Sequence, residues 1–344
     1  MDLSAQPAAG AVVPAPPAAP PAAEAATCWP RITVIVVTFE AAGFIAGCLD
    51  GLVATGYPDL RILVVDNASP DGTAGVVRGF IAARRGAAPR VELIETGANA
   101  GFAAGVNRGL VVARADRSCD LFWILNPDTV VDRGAPFALV REAARMGRFA
   151  VIGARVVYLE RPGIVQCDGG RLHRLAGTAV SVNIGAAAER TRPPGGEGLA
   201  YVPGVSMLAS RAFVERAGPM DERYFLYFEE IDWQLRRGDL PLGVAPGAIV
   251  HHRAGASIGS PAAHRGASPL SVYFSCRNLL PFVARWAPHK LPFAYAMACY
   301  KLVRQWGATR ANTVAALRGL HGLAPPKDLR RKLPRRAWDR SAAP

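Results

Sequence analysis

The run ITVIVV at residues 32–37 is almost entirely β-branched. Such residues pack well when extended, and a strand apolar on both faces is one that a sheet buries from both sides. Working outward, a helical pattern covers about 42–54. RILVV at 61–65 then repeats the buried-strand signature and ends on Asp66. A second helix is predicted over about 71–84, a third strand at 91–95 (VELIE), a third helix over 102–114 and a fourth strand at 121–125 (LFWIL). This alternation predicts a parallel sheet with helices on both sides. Past about residue 150 the pattern changes to short strands and Gly/Pro turns, which suggests a mixed, partly antiparallel half. There, 201–209 (YVPGVSMLA) reads as strand, turn, strand, 229–237 as a short helix, and the Gly/Pro/Arg-rich 185–198 as a mobile loop.

In such sheets ligands bind beyond the carboxyl ends of the strands. Thr38 and Glu40 follow the first strand, Asp66, Asn67 and Ser69 the second, Asn99 and Gly101 the third, Asn126 and Asp128 the fourth. Four strands delivering polar groups to one edge predict a site there.

Each group has a functional and a plainer reading. Asp66 and Asn67 suit a base or ribose, or ordinary turn chemistry, with Asp71 an N-cap of the next helix. The glycine-rich turn from Asn99 through Gly101 to Asn107 brings backbone N–H groups near an anion, or is only a tight turn. It lacks the Gly-Lys-Ser/Thr of a P-loop. Arg108 meets phosphate or lies along the surface. Asp128, after Asn126-Pro127, is a carboxylate at a buried strand end, which fits a divalent cation on a diphosphate or a simple β-turn. In FLYFEEIDW (225–233) Glu229 and Asp232 share a helical face and Glu230 adjoins them. Crowded carboxylates in an apolar setting raise one another's pKa and suit a general base, whereas a helix N-terminus also favours acids. His252, after His251, is a ligand or a structural histidine. Arg277, in YFSCRN, is a diphosphate partner or an interdomain ion pair.

The 344 residues carry 40 Lys/Arg against 27 Asp/Glu, a net +13, and 51% are hydrophobic. The length allows a substantial core. The charge suits a nucleotide, an anionic membrane surface or nucleic acid, but no zinc-finger or RNP-type motif supports nucleic acid. Six cysteines without a CxxC pair indicate neither zinc nor a disulfide framework, and so a reducing compartment. The Ala/Pro-rich start reads as a disordered tail rather than a signal peptide. No window is long and apolar enough for a membrane span. The stretch 279–303 is apolar but interrupted, fitting a core or a surface-lying segment. The basic end (327–340) with Trp338 suits anionic headgroups or a solvated tail.

Taken in order, VIVVTFEAAGFIAGCLDGL, ILVVDNASPDGT, NAGFAAGVNRGL, FWILNPDTVV, PGVSMLASRAFVERAGPMDERYFLYFEEIDWQLR and YFSCRN resemble family-2 glycosyltransferases, most of all the rhamnosyltransferase-like branch that builds cell-surface polysaccharides. The likeness covers roughly residues 31 to 285. It implies an α/β GT-A fold, a mostly parallel Rossmann-like sheet flanked by helices, and an inverting single displacement that uses Mg²⁺ or Mn²⁺. It also implies a nucleotide pocket lined by Thr38, Glu40, Asp66 and Asn67, with Asn99, Gly101, Asn107 and Asn126 on the same side. Asp128 matches the last position of the family's Asp-x-Asp motif, where Asn126 replaces the first Asp. The family's base lies in a Glu-Asp pair; here the pair is Glu229-Glu230, so Glu230 takes the Asp position and Asp232 a further acidic one. His252 joins the metal and Arg277 or His252 the leaving diphosphate. Tyr224, Phe225, Tyr227, Phe228 and Trp233 stack on an acceptor sugar or form core.

The expected organisation is therefore a tail over 1–29, a catalytic domain over 30–285 (nucleotide half 30–130, acceptor half 131–285) and a helical, basic extension over 286–344. The expected partners are a nucleotide-diphosphate sugar and a glycan or lipid-linked acceptor, with no nucleic acid. A cytoplasmic enzyme peripheral to the inner membrane face fits. A sugar-phosphate nucleotidyltransferase would carry a basic Gly-rich loop after strand one, which is lacking. The other alternative is a non-catalytic nucleotide- or glycan-binding module.

Overall fold

The computed structural model describes residues 29–253, 267–306, 309–331 and 333–339. The expected N-terminal tail falls almost wholly outside them. The first half alternates as the sequence predicts: β1 (Ile32–Thr38), α1 (Ile45–Ala54), β2 (Leu60–Asp66), α2 (Thr73–Ala83), β3 (Arg90–Glu95), α3 (Phe102–Ala115) and β4 (Leu121–Leu125). Every residue of β1 is buried, as its run of β-branched side chains requires. The helix expected from residue 42 starts at Ile45, because Ala41–Phe44 form a turn. Gly72, not Asp71, is the N-cap of α2. Asp71 still accepts the Thr73 amide, at 3.1 Å, and the Ala42 amide, at 3.0 Å, which ties two loops together.

The second half holds β5 (Thr129–Val131), α4 (Ala135–Met146), β6 (Val151–Tyr158), β7 (Arg161–Cys167), β8 (Gly170–Leu172), β9 (Ala179–Ser181), β10 (Ser206–Ser210), α5 (Arg211–Ala217), α6 (Glu229–Leu235) and β11 (Leu242–His252). One nine-stranded sheet runs β3-β2-β1-β4-β10-β6-β11-β5, with β7 on β6. β1, β2, β3, β4, β6 and β11 point one way, while β10, β5 and β7 oppose them. The chain leaves β1 towards β2 and β3, then returns to β4 on its other side. That places a topological switch point between β1 and β4, where such sheets open a ligand crevice.

Two apolar layers cover the sheet. Ile32, Val34, Ile62 and Trp123 meet α1, α2 and α4 on one face; Ile35, Leu63, Phe122 and Met207 meet α3 and α5 on the other. Gly105 of α3 lies against Val37, where a Cβ would clash, so the helix packs close to the strand. A third cluster joins α7 (Pro269–Trp286), α8 (Leu291–Lys301) and α9 (Arg310–Leu320) to Tyr224–Leu226 and Ile231. The C-terminal extension therefore shares core with the acceptor half. α10 (Lys327–Arg330) follows. No helix among the described residues is long and apolar enough to cross a membrane.

The 185–198 stretch is a loop with one 3-10 turn, Ala188–Arg190. It is fastened: Arg155, buried and bidentate on Asp168 at 2.9 and 2.7 Å, also donates to the carbonyls of Ala188 and Thr191.

Candidate active site

A cavity of about 420 Å³ opens at the switch point. Thr38 and Glu40 enter from the end of β1, Asn67 from β2, Asn99 and Gly101 from the turn into α3, and Asn126 from β4. Asp66 lies just beneath. Its carboxylate accepts from Thr38 Oγ1 at 2.9 Å, from Ser69 Oγ at 2.6 Å and from the Ser69 amide at 3.0 Å, and so shapes the loops without reaching the cavity. Asn67 Nδ2 donates to the Gly101 carbonyl at 3.0 Å. Gly101, at φ +90°, abuts the carbonyl of Phe225 where any Cβ would collide. That contact brings the aromatic segment of the second half against the nucleotide edge. Leu329 and Leu333, far along the chain, line the same cavity.

Asn126–Thr129 form a turn closed by Thr129 Oγ1, which donates to the Asn126 carbonyl at 2.7 Å. The plainer reading, turn chemistry, thus holds here, and Asn126 also lines the cavity. The turn leads into β5, whose Thr129 pairs in register with His252 of β11. His252 therefore meets Asp128, with Nε2 3.2 Å from Oδ1, and both side chains are almost wholly buried. On the other side of the ring Nδ1 lies 2.8 Å from Gln166 Oε1. An amide oxygen only accepts, so Nδ1 donates, which leaves Nε2 as the ring atom that faces the carboxylate and, in the neutral ring, the one with a lone pair to offer a cation. Two such ligand atoms on adjacent octahedral positions at about 2.1 Å from a cation stand about 3 Å apart. The pair fits a divalent ion. No third His, Cys, Asp or Glu joins it among the described residues, so phosphate oxygens and water would complete the coordination.

The acidic cluster sits at the start of α6, behind a strained segment. Phe225, Tyr227 and Phe228 all take positive φ (61°, 66° and 76°), which non-glycine residues avoid and which collects at functional sites. Asn278 of α7 holds this backbone, donating through Nδ2 to the carbonyls of Tyr224, Leu226 and Tyr227 at 2.8–3.1 Å. Glu229 is buried and Glu230 half-buried, and Oε2 of each has no hydrogen-bond partner among the described residues. Burial, then the neighbouring Glu230, pushes Glu229 well above the usual carboxylate range. Burial lifts Glu230 to about 7, against the pull of the backbone amides of Glu230 and Ile231. Glu230 lines a second cavity of about 230 Å³ with Tyr201, Tyr227, Met297 and Lys301. A Cβ on Gly204 would stand 3.8 Å from the Glu230 Cγ and 3.6 Å from the Phe102 ring on the wall of the first cavity, so both side chains border that glycine. A carboxylate able to take a proton near neutrality thus stands between two cavities.

The Glycosyl transferase family 2 model matches residues 33–166 of the chain. An N-acetylglucosaminyl-diphospho-decaprenol L-rhamnosyltransferase of Mycobacterium tuberculosis is 28% identical over 261 residues, covering 70% of this chain and 82% of the relative. The chain is thus similar to family-2 glycosyltransferases, over residues 33–166 by the family model. Its fold is GT-A. The mannosyltransferase PcManGT of Pyrobaculum calidifontis, solved with GDP-Man and Mn²⁺, superposes with a TM-score of 0.51 at 18% identity, covering 90% of this chain and 84% of that one. Staphylococcus aureus TarS 1–349, solved with UDP-GlcNAc, gives 0.54 at 13% identity, covering 89% and 82%.

Within this fold, three expected site residues fall elsewhere. Asn107 faces away from the nucleotide cavity: its amide donates to the Met220 carbonyl and Glu222 and accepts from the Met220 amide. Arg277, buried under Phe274, donates to the Arg223 carbonyl and Asn278 Oδ1 and borders a different, arginine-lined cavity. Asp232 is fully buried, accepts from Trp286 Nε1 at 2.8 Å, and lies 3.1 Å from Arg285 and 3.3 Å from Arg236. Those cations and the indole occupy it, so it anchors α6 to α7. Arg108 is exposed on α3. Trp233 is core, packed on Phe213. Sequence reasoning missed Asn278, Gln166 and the two leucines. Gln166 has no motif of its own, but Asn278 stood in the quoted YFSCRN.

Proposed function

We propose that this glycosyltransferase moves a sugar, with L-rhamnose the first candidate, from a nucleoside-diphosphate donor to a lipid-linked glycan, by inversion, in the assembly of a cell-surface polysaccharide at the inner face of the membrane. The sugar and the acceptor are suggested by the mycobacterial relative, whose name gives both. The base and its placement rest on one observation: the half-buried Glu230, raised to about 7, stands between the switch-point cavity and the second cavity.

The nucleotide would lie among Thr38, Glu40, Asn67, Asn99 and Asn126. Asp128 and His252 would hold Mg²⁺ or Mn²⁺, which supplies neutralisation of diphosphate charge when bound. Glu230 accepts the proton of the acceptor hydroxyl. That oxygen forms its bond to the anomeric carbon on the face opposite the diphosphate, and the carbon–oxygen bond to the diphosphate breaks. Glu229 is deeper and its pKa is also raised, by burial and by the neighbouring Glu230, so the two carboxyl groups resist carrying charge together beside the attacking oxygen. A non-catalytic binding module has no use for two adjacent carboxyl groups that each leave a buried oxygen without a hydrogen bond, which costs stability.

Calorimetry with dTDP, UDP, GDP and ADP, each with Mn²⁺ and with EDTA, tests the reading. Metal-dependent binding of one nucleotide supports it and names the donor class. No binding of any would count against the cavity assignment.

A further inference from the structure

α8 is inside out. Its sequence, LPFAYAMACYK, is almost wholly apolar, yet it buries only Ala294 and Ala298. Phe293 and Tyr300 are each 56% exposed and Val303, in the next turn, 80%. Spacings of seven and three put these side chains on one helical face. Of twelve large hydrophobic side chains exposed among the described residues, seven fall between Phe293 and Leu323, so the apolar surface is gathered rather than scattered. A helix in water turns its small polar groups out and its large apolar ones in; this one requires a covering partner.

The charge around the stripe selects that partner. From Leu240 to Lys327 the sequence contains ten Lys/Arg and no Asp or Glu. Lys290, Arg304 and Arg310 lie just before and after the stripe in the sequence. A second copy docked face to face would oppose these cations to their like. Aromatic and aliphatic side chains on a segment whose sequence carries cations and no acids fit an interface of acyl chains and anionic headgroups. We infer that the face of α8 carrying Phe293 and Tyr300, with Val303 in the turn after it, lies on an anionic lipid bilayer. The inward side of the same helix supplies Met297, Ala298 and Lys301 to the cavity that holds Glu230. A lipid-linked acceptor would thus reach the base from the surface that holds its tail. That purpose rests on the proposed acceptor; the docking itself does not.

The test is sedimentation of the full chain with vesicles of one part phosphatidylglycerol to two parts phosphatidylcholine, and with phosphatidylcholine alone. The wild type is expected to bind the anionic vesicles at least about tenfold more tightly, less so at high salt. A Phe293→Ser/Tyr300→Ser/Val303→Ser variant should lose about tenfold or more of that binding while keeping nucleotide affinity, which shows it folded. Arg304→Glu should reduce the preference for the anionic vesicles. Wild-type protein left in the supernatant, or a triple variant that binds as well, overturns the inference. So does a wild-type dimer that the triple variant dissociates, since a second copy then covers the face. Vesicle binding without transfer to a lipid-linked acceptor would keep the docking and refute the acceptor assignment.

Discussion

The nucleotide half and the acceptor half build their parts of the site by opposite means. In the first, regular elements do the positioning: β1, β2 and β4 end side by side, and Thr38, Asn67 and Asn126 arrive where the strands stop. In the second, an irregular segment with three positive-φ aromatic residues precedes α6 and is held by Asn278, some fifty residues later. The first is paid for locally by strand burial. The second survives only because distant helices over-determine it, which is where pKa values can be moved furthest.

The largest expected effect breaks the acceptor side alone. Glu230→Gln should lower kcat roughly 10²-fold or more while leaving donor affinity unchanged, as loss of a general base does. On the nucleotide side, Asp128→Ala or His252→Ala should cost about 10–100-fold in metal-dependent nucleotide affinity, with Gln166→Ala following in the same direction through the ring it orients. Calorimetry with and without Mn²⁺ reads both. Asn278→Ala sharpens the comparison. It leaves the buried carbonyls of Tyr224, Leu226 and Tyr227 without their donor and should cost about 1–3 kcal/mol, seen in denaturant titration, with a fall in kcat larger than any change in nucleotide affinity. The smallest effect is on stability against pH. Glu230 has a folded pKa of about 7, above its ordinary value. Its ionisation therefore disfavours the folded state, so stability falls as pH rises from the usual carboxyl range through about 7. Glu230→Gln should flatten that slope.

The same contrast explains what could be read from the sequence. The buried strands announce themselves as β-branched runs, and the site follows from where they end, so six of the eight expected nucleotide residues line the cavity and Asp66 braces it. Asn107 was misplaced because periodicity locates α3 but not which of its faces meets Met220. Asp232 shares a face with Glu229, and that spacing cannot reveal that Trp286, Arg285 and Arg236 claim it. Arg277 and Asn278 are adjacent in sequence and both turn to the strained segment, a destination set by long-range packing. The roof formed by Leu329 and Leu333 has the same origin.

The most direct test of the central claim is the pH dependence of single-turnover transfer by the wild type and Glu230→Gln at saturating donor. The account predicts a wild-type rate that rises with pH to a plateau above about 7, and a slow, nearly pH-independent rate for the variant. A Glu230→Gln enzyme that keeps the wild-type rate and profile would contradict it.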